Sequence, residues 1–292
     1  MKSVKEYAYA KINLYLNVVS RREDGFHDID TVMHTVSLCD EVTLTVTGHS
    51  RRGVRLILEG NKRLPFDSKN IAYAAAMLFL DKMGIDNEIT LKLVKRIPMS
   101  AGLAGGSADA AAVLRGMNRL YGKPMTEKML LRLAESLGSD VPFCLIGGTA
   151  LCQGRGERMT RLPDVKLHTV IAASDEYVST PAAYAALDDR YSGFDGSVVP
   201  EGASDVLQMV ADINSHSLDV LGMYNIFESV VLEDRPVAAK IKESLMRLGA
   251  IHAQMSGSGP SVFGIFETEA QATAARDALI AEGINAHYAT SV

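Results

Sequence analysis

The sequence contains no run of about 18 apolar residues, the length that a membrane-spanning helix needs. Residues 1–10 also lack the apolar core of a signal peptide. Cysteine is scarce: Cys39, Cys144 and Cys152 are odd in number and form no CxxC pair, which favours reduced thiols over a disulfide framework. We therefore expect a cytoplasmic protein with no membrane partner.

An excess of positive charge is absent as well. The net charge of -5 argues against a nucleic-acid partner, because such binding needs a basic surface that neutralises backbone phosphates. At 292 residues the chain exceeds what one hydrophobic core usually fills. We expect two domains, 1–161 and 162–292, with the site of function in a cleft between them and the boundary in the polar stretch 154–165.

Alternating and helical apolar patterns occur together in both halves, which predicts the α+β class. The expected strands are 7–19, 40–46, 53–60, 88–98, 149–154, 167–174, 250–256, 260–267 and 284–292. The expected helices are 70–82, 107–122, 126–138, 236–249 and 269–283. Gly257 to Gly259 predict a tight hairpin turn. "GSDVPF" reads as a turn, and 188–204 as a loop.

A glycine-rich loop lies between the strand that ends near Pro98 and the helix that Ser107 is expected to open. Its glycines let the backbone approach a ligand closely, and the amides at the start of the next helix form a ready phosphate site. The alternative is an ordinary turn capped by Ser107 or Asp109. The loop lacks the lysine of GxxxxGK[ST] and does not match GxGxxG, which excludes a P-loop and a Rossmann oxidoreductase.

Three strings resemble, in order, the three motifs of the GHMP kinase superfamily: "AYAKINLYLNV", "IPMSAGLAGGSADAA" and "MSGSGPSVFGIF". The resemblance extends over essentially the whole chain. It implies a two-domain fold, with an N-terminal sheet and helices, a C-terminal ferredoxin-like α/β sandwich and a cleft between them. It also implies transfer of a phosphoryl group from ATP, with Mg²⁺, to a small molecule by a monomer or homodimer.

Two longer strings narrow this resemblance: "AKINLYLNVVSRREDGFHDIDTVMHTVSLCDEVTL" and "GSDVPFCLIGGTALCQGRGE". Both are similar to the branch that phosphorylates the 2-hydroxyl of a cytidine-diphosphate-linked methylerythritol in non-mevalonate isoprenoid biosynthesis. Two alternatives stay open. One is a sister kinase that acts on mevalonate, phosphomevalonate or homoserine, and the other is a nucleotide-binding protein that has lost catalysis.

The resemblance implies two catalytic residues. Asp140 is identified with the aspartate that takes or orients the proton of the attacking hydroxyl, a role that contributes about 10² to 10⁴-fold. Lys11 lies in an apolar strand, an awkward place for an ammonium group unless a carboxylate or phosphate answers it. By resemblance it lowers the pKa of the acceptor hydroxyl. From the residues alone, two alternatives remain open: Asp140 could be an ordinary turn residue, and Lys11 could be a lysine that faces outward from the sheet.

The remaining site residues also come from the resemblance. Those assigned to the nucleotide are Asn70 and Lys95 at the adenine, and the loop residues Pro98, Met99, Ser100, Ala101, Gly102, Leu103, Ala104, Gly105, Gly106, Ser107 and Ala108. From the residues alone, Asn70 could instead be the N-cap of the helix that follows it, and Lys95 a solvated strand lysine. Those assigned to the acceptor are Asp140 with Asn13, Phe26, His27, Thr180 and Tyr184 at the cytidine end, and Gly257, Ser258 and Gly259 of the third motif. Ser107 is the candidate Mg²⁺ ligand. A metal cluster of His27, Asp28, Asp30 and His34 is disfavoured, because strand alternation splits it between two faces.

Overall fold

The computed structural model describes residues 2–49, 51–60, 64–65, 67–191, 205–216 and 220–292. The strands are β1 (Ser3–Arg21), β2 (His27–Gly48), β3 (Gly53–Glu59), β4 (Glu88–Val94), β5 (Thr149–Gly154), β6 (Arg158–Leu162), β7 (His168–Ala173), β8 (Tyr224–Asn225), β9 (His252–Met255), β10 (Val262–Phe266) and β11 (Asn285–Thr290). The helices are α1 (Ile71–Met83), α2 (Gly105–Leu120), α3 (Glu127–Leu137), α4 (Val141–Ile146), α5 (Thr180–Arg190), α6 (Val206–Asn214), α7 (Glu228–Asp234), α8 (Pro236–Arg247) and α9 (Glu269–Ala281).

The chain forms two compact units. Unit 1 comprises Met1–Ala10, Cys39–Met99 and Ala104–Ile146, and unit 2 comprises Lys11–Leu38, Ser100–Leu103 and Gly147–Val292. Each unit is assembled from separate stretches, and the long strands β1 and β2 contribute residues to both. The contiguous domains 1–161 and 162–292 stay a prediction.

In unit 1, β4 pairs in parallel with β3 and antiparallel with the Glu41–Gly48 part of β2. Alternation in β4 buries Ile89, Leu91 and Leu93, as the sequence pattern predicts for a strand with one covered face. Helices α1 and α2 pack on each other. The N-cap of α1 is confirmed, because the Asn70 side chain accepts the Ala72 N–H over 3.0 Å.

In unit 2, the Ile29–His34 part of β2 pairs antiparallel with β5, and β5 pairs with β6. Strand β8 runs parallel to the Tyr15–Leu16 part of β1. Helices α5 and α7 contact one another, and Leu187 of α5 and Phe227, the N-cap of α7, are buried in one cluster with apolar residues of β1 and β2. These helices and strands therefore share one apolar cluster, which lies at the C-terminal part of β1 and the start of β2.

A second sheet in unit 2 has the strand order β11-β7-β10-β9 and is antiparallel throughout. Along the chain, β7, α8, β9, β10, α9 and β11 follow the βαββαβ order of a ferredoxin-like sandwich. Helices α8 and α9 bury Ile241, Leu245 and Leu279 against it. The predicted α+β class and the C-terminal sandwich are confirmed.

Several elements differ from the prediction in detail. The stretch 154–165, where we expect the domain boundary, contains the additional strand β6. The expected loop 188–204 begins inside α5, which extends to Arg190. Residues 192–204 lie outside the described part. "GSDVPF" is a short turn followed at Val141 by α4, and β2 begins at His27 rather than at residue 40. The hairpin of β9 and β10 is confirmed, although Ser256 to Ser261 connect the two strands.

The structure also bears on the cysteines and on membrane-spanning helices. None of the three cysteines forms a disulfide, and Cys152 is buried. Among the residues that the structure describes, no helix combines the length and the apolar character needed to cross a membrane.

Candidate active site

The glycine loop leads into α2, which begins at Gly105 in unit 1. Its N-cap, Ala104, has a left-handed φ of 54° and offers no side-chain hydrogen bond, and the first turn carries no acidic side chain. The leading amides and the partial positive charge of the helix dipole therefore suit an anion such as phosphate. Ser107 does not open α2, because it lies inside the first turn. The alternative of a turn capped by Ser107 or Asp109 is wrong, because the N-cap is Ala104 and the Asp109 carboxylate binds Lys95.

The Ser100–Leu103 part of the loop belongs to unit 2, where it packs against the residues that follow β9. At Gly102 the φ is +74°, and a Cβ would lie 1.9 Å from the carbonyl oxygen of Ser256. The Ser256 hydroxyl donates to the Gly102 carbonyl oxygen over 3.0 Å. A Cβ on Gly257 would lie 3.1 Å from that same carbonyl oxygen. The second and third motifs thus touch backbone to backbone, which explains their glycines.

Replacing Gly102 with alanine is expected to lower the free energy of unfolding by about 2 to 3 kcal/mol, because strain at positive φ adds to a clash with the Ser256 backbone. The matched control is Gly283→Ala, at φ +82° with nothing within 4 Å of the added Cβ. That variant should lose about 1 kcal/mol from backbone strain alone. Urea unfolding measures both, and equal losses would contradict the close approach at Gly102.

Lys11 is buried in β1 with 4% of its surface exposed, so the outward-facing alternative is wrong. Its Nζ donates to Asn13 Oδ1 over 2.6 Å, and the same oxygen accepts the Gly257 N–H over 3.0 Å. Asn13 Nδ2 donates to Thr31 Oγ1 over 2.8 Å. Asn13 therefore fixes both the ammonium and the third-motif loop, and its contact with cytosine stays a prediction. Among the residues that the structure describes, the ammonium of Lys11 bonds to this neutral amide and to no carboxylate, so the position suits an incoming anion.

His27 lies at the start of β2 and is 9% exposed. Its Nε2 is 2.7 Å from Asp188 Oδ1, and its ring stacks on that of Tyr184 with centroids 4.6 Å apart and planes at 20°. Tyr184 in turn meets Phe227 edge-on at 4.9 Å. Phe26 is 49% exposed. The imidazole is thus held in unit 2 from its face and from one nitrogen.

Two other predicted acceptor residues also make contacts within unit 2. The guanidinium of Arg155 lies 3.8 Å from the ring centroid of Phe26, within cation–π range. Thr180 Oγ1 and Ser258 Oγ are 2.8 Å apart, which links the start of α5 to the third motif. Thr180 and Ser258 are both predicted acceptor residues, and the structure brings them into contact.

The four residues of the disfavoured metal cluster have separate partners. His27 meets Asp188, Asp28 pairs with Arg22, Asp30 accepts from Gln153, and His34 bonds to both Thr149 and Ser291. Burial lowers the pKa of His34 to about 4, which keeps this ring neutral at physiological pH.

Lys95 lies in unit 1 just after β4, where its side chain is 4% exposed. Its ammonium forms ion pairs with Asp40 and, over 2.7 Å, with Asp109 of α2. Asp40 also accepts the Ile97 N–H over 2.8 Å. Desolvation lowers the pKa of Lys95, but the carboxylates of Asp109 and Asp40 outweigh it and the net pKa is raised. The solvated-lysine alternative is wrong, and the adenine contact stays a prediction.

Asp140 lies at the end of the turn between α3 and α4 in unit 1. Its carbonyl oxygen accepts the Cys144 N–H over 3.0 Å, so α4 begins directly beyond it. Arg115 of α2 donates over 2.8 Å to the Cys144 carbonyl oxygen and over 2.8 Å to that of Tyr7. Burial lowers the pKa of Arg115, partly offset by Glu6. The helix that follows the glycine loop thus also supports the helix that follows Asp140.

No group of three or more His, Cys, Asp or Glu side chains suited to a metal occurs in the described ranges. Ser107, half-buried in the first turn of α2, offers one hydroxyl. This donor set fits a Mg²⁺ ion that keeps several waters and takes most of its ligands from substrate phosphates, as Mg²⁺ commonly does.

Three contacts were missed from the sequence: Asp188 at His27, and Asp40 and Asp109 at Lys95. Thr180, Tyr184 and Asp188 recur every four residues, a spacing that could have revealed one face of a helix. No local pattern links Asp40 to Lys95, because the two residues are 55 positions apart in the sequence.

Family models and known proteins agree on the kind of molecule that the chain resembles. The model described as GHMP kinases N terminal domain matches residues 70–148, and GHMP kinases C terminal matches residues 209–285. The 4-diphosphocytidyl-2-C-methyl-D-erythritol kinase of Caldicellulosiruptor saccharolyticus is 39% identical over 93% of this chain and 91% of its own length. The protein of that name from Lachnospira eligens is 40% identical over 97% and 96%.

Solved structures give the same result. A crystal structure of 4-(cytidine 5'-diphospho)-2C-methyl-D-erythritol kinase superposes with a TM-score of 0.81 at 32% identity, covering 98% of both chains. Homoserine kinase from Cytophaga hutchinsonii superposes with a TM-score of 0.75 at 24% identity, covering 100% of this chain and 95% of its own, and shows a shared fold.

Proposed function

Because this chain belongs to the 4-diphosphocytidyl-2-C-methyl-D-erythritol kinase family of the GHMP kinases, we propose that it transfers a phosphoryl group from ATP to the 2-hydroxyl of 4-diphosphocytidyl-2-C-methyl-D-erythritol. The products are the 2-phosphate and ADP, within isopentenyl diphosphate synthesis by the non-mevalonate pathway. One observation carries this proposal: 39% identity to a kinase of that name over 93% of the chain.

The glycine loop is the proposed phosphate cradle. The uncapped amides at the start of α2 supply N–H donors and dipole charge, and no acidic side chain in the first turn repels an anion. Asn70 and Lys95 line the adenine in this proposal. Since the ammonium of Lys95 binds two carboxylates, the proposed role of Lys95 in the nucleotide site is to hold the end of β4 next to the glycine loop.

Asp140 and Lys11 are the proposed catalytic pair. Asp140 accepts or orients the proton of the acceptor hydroxyl. The ammonium of Lys11, held by Asn13, stabilises the negative charge that develops on the oxygen. Phosphoryl transfer depends mainly on positioning and charge stabilisation, so the mechanism requires no covalent intermediate on the protein.

Ser107 is the proposed protein ligand of Mg²⁺, whose bound charge neutralises the phosphates. The third-motif residues Gly257, Ser258 and Gly259 hold the acceptor. The cytidine end is assigned to Asn13, Phe26, His27, Thr180 and Tyr184. We place the reaction in the cytoplasm, in a monomer or homodimer with no nucleic-acid or membrane partner.

A coupled ADP-release assay across four acceptors tests the proposal: 4-diphosphocytidyl-2-C-methyl-D-erythritol, mevalonate, phosphomevalonate and homoserine. We expect turnover with the cytidylyl acceptor at a rate at least about 100-fold above the others. Mevalonate, phosphomevalonate and homoserine carry no cytidine and would leave the proposed cytidine site empty. Preferred turnover of another acceptor would identify a sister kinase. ATP binding without ADP release from any acceptor would identify a silent nucleotide-binding protein.

A further inference from the structure

The third-motif loop, residues 256–261, is bound by Asn225, the last residue of β8, which is buried with 3% of its surface exposed. Asn225 Nδ2 donates to the carbonyl oxygen of Met255 over 2.7 Å and to that of Gly257 over 2.9 Å. Its Oδ1 accepts the Phe227 N–H over 3.0 Å. One side-chain amide therefore donates twice to the backbone that enters the loop, and its oxygen is engaged as well.

The backbone of Gly257 is bound at both of its polar groups. Its N–H donates to Asn13 Oδ1 over 3.0 Å, and its carbonyl oxygen accepts from Asn225. Asn13 Oδ1 also holds the ammonium of Lys11, and a Cβ on Gly257 would lie 3.4 Å from that ammonium. Since glycine changes its dihedral angles at little steric cost, these two side chains determine how the Gly257 backbone is oriented beside Lys11.

Asn225 is itself fixed within unit 2. It pairs with Leu16 in the parallel ladder of β8 and β1, and the next N–H, that of Ile226, donates to the Leu16 carbonyl oxygen over 3.0 Å. Two residues further on, Glu228 of α7 accepts the Met255 N–H over 2.7 Å. The segment from Asn225 to Glu228 thus binds the end of β9 at two points and forms a fixed support for the loop.

We propose that Asn225 is a positioning residue for phosphoryl transfer, which engages the Gly257 carbonyl oxygen and so leaves the ammonium of Lys11 to the acceptor. This inference rests on the proposed function, in which Lys11 stabilises the acceptor oxygen. A Gly257 carbonyl released from Asn225 is an unpaired acceptor beside a buried donor, and it would compete with the acceptor hydroxyl for that ammonium. Asn225 acts through Gly257 and does not itself contact the substrate.

Asn225→Asp tests this role, because it keeps the shape of the side chain and removes both donors. At pH 8.5 a carboxylate would face two carbonyl oxygens, and we expect the turnover number with the cytidylyl acceptor to fall about 10 to 100-fold. Burial and the carbonyl oxygens raise the pKa of the new carboxyl; Glu228 of α7 adds to the rise, and Lys11 of β1 opposes it. At pH 5.5 the protonated carboxyl can donate one hydrogen bond, so turnover relative to the unaltered chain should recover about fivefold.

Asn118→Asp is the matched control. Asn118 of α2 is also buried, donates to the Met125 carbonyl oxygen and accepts the Met125 N–H, both over 2.9 Å, but lies in unit 1. Its replacement should destabilise the fold, more at pH 8.5 than at pH 5.5, and leave the turnover number of the folded protein within about twofold. Asn225→Ser adds no titrating group, so its loss of turnover should be the same at both pH values.

The kinetic outcomes separate a positioning role from a purely structural one. Turnover within about twofold of the unaltered chain in folded Asn225→Asp or Asn225→Ser would overturn the proposal. An equal relative loss in Asn225→Asp at both pH values would overturn it, and so would a comparable loss in Asn118→Asp. If Asn225→Asp does not fold, the turnover number of Asn225→Ser decides.

A second readout does not depend on activity. The sequence contains four Gly–Ser pairs, so a chain labelled with ¹³C at glycine carbonyls and ¹⁵N at serine gives few correlated signals, and Ser258→Ala identifies that of Gly257. We expect this carbonyl signal to shift in Asn225→Asp at pH 8.5 and to return part of the way at pH 5.5; an unchanged signal would overturn the inference. If the unaltered chain does not phosphorylate the cytidylyl acceptor, the proposed function fails, and the signal still decides whether Asn225 holds Gly257.

Discussion

Replacing Asp140 with asparagine is expected to lower the turnover number with the cytidylyl acceptor by about 10² to 10⁴-fold, the usual contribution of a positioned base. Asparagine has nearly the same shape, so the turn and the Asp140 carbonyl contact with the Cys144 N–H should persist. Since the amide cannot take the proton of the acceptor hydroxyl, the defect should appear in the turnover number. ATP affinity, measured by calorimetry, should change less than about twofold.

Glu135→Gln is the matched control for this variant. Glu135 is an exposed carboxylate on α3, close to Asp140 in the sequence and in the same unit. The substitution removes the same charge without touching the turn, so turnover should stay within about twofold. Near-normal turnover of Asp140→Asn would remove Asp140 from the mechanism. A comparable loss in Glu135→Gln would indicate a general effect of charge on this surface.

The sequence predicts those parts of the fold that are stabilised by contacts between residues close together in the chain. The apolar spacing of α1 and its Asn70 cap lie within a few residues of each other, and the structure confirms both. Burial of Lys11 could not be settled in the same way. The strand pattern allows an outward-facing lysine. The ammonium is held inside by Asn13 Oδ1, which also accepts the N–H of Gly257, a residue far away in the sequence.

The missed elements depend on tertiary partners. The buried residues of α5 are Ala183 and Leu187, and two apolar positions are too weak a pattern to predict a helix. The helix is also supported by contacts of Tyr184 with His27 and Phe227, which are distant in the sequence. Strand β6 is mostly polar and exposed, and it forms because β5 offers an edge for pairing. The same dependence hid Asp188, because its contact with His27 becomes visible only when α5 and the start of β2 are brought together.

The contacts of Lys95 lead to the second large effect. Replacing Lys95 with methionine should lower the free energy of unfolding by about 3 to 5 kcal/mol, because two carboxylates, Asp40 and Asp109, then share a buried site without their cation. The matched control is Lys92→Met in β4. Lys92 pairs with Glu59 at the surface and is 43% exposed, so its loss should cost less than about 0.5 kcal/mol. Urea unfolding measures both.

The size of the Lys95 effect should depend on pH. Burial raises the pKa of Asp109, Lys95 opposes the rise in part and Asp40 adds to it, so that the pKa moves from 3.8 to about 8. A carboxyl with a raised folded pKa binds its proton on folding, so its contribution is fully present below about pH 4 and is lost as the pH rises through about 8. Near pH 5.5 the native Asp109 is neutral and Lys95 has one carboxylate to neutralise, whereas near pH 8.5 it has two. The loss in Lys95→Met should therefore be larger at pH 8.5.

The double variant Lys95→Met with Asp109→Asn isolates the buried charges as the cause. An amide at position 109 cannot ionise, so the double variant should recover part of the lost stability at pH 8.5 and little of it at pH 5.5. Without such recovery, or with a pH-independent loss, the destabilisation would come from packing of the lysine stem. Lys95 follows β4 and Asp109 lies in α2, the two elements that flank the glycine loop in the sequence, so we expect the same variants also to raise KM for ATP.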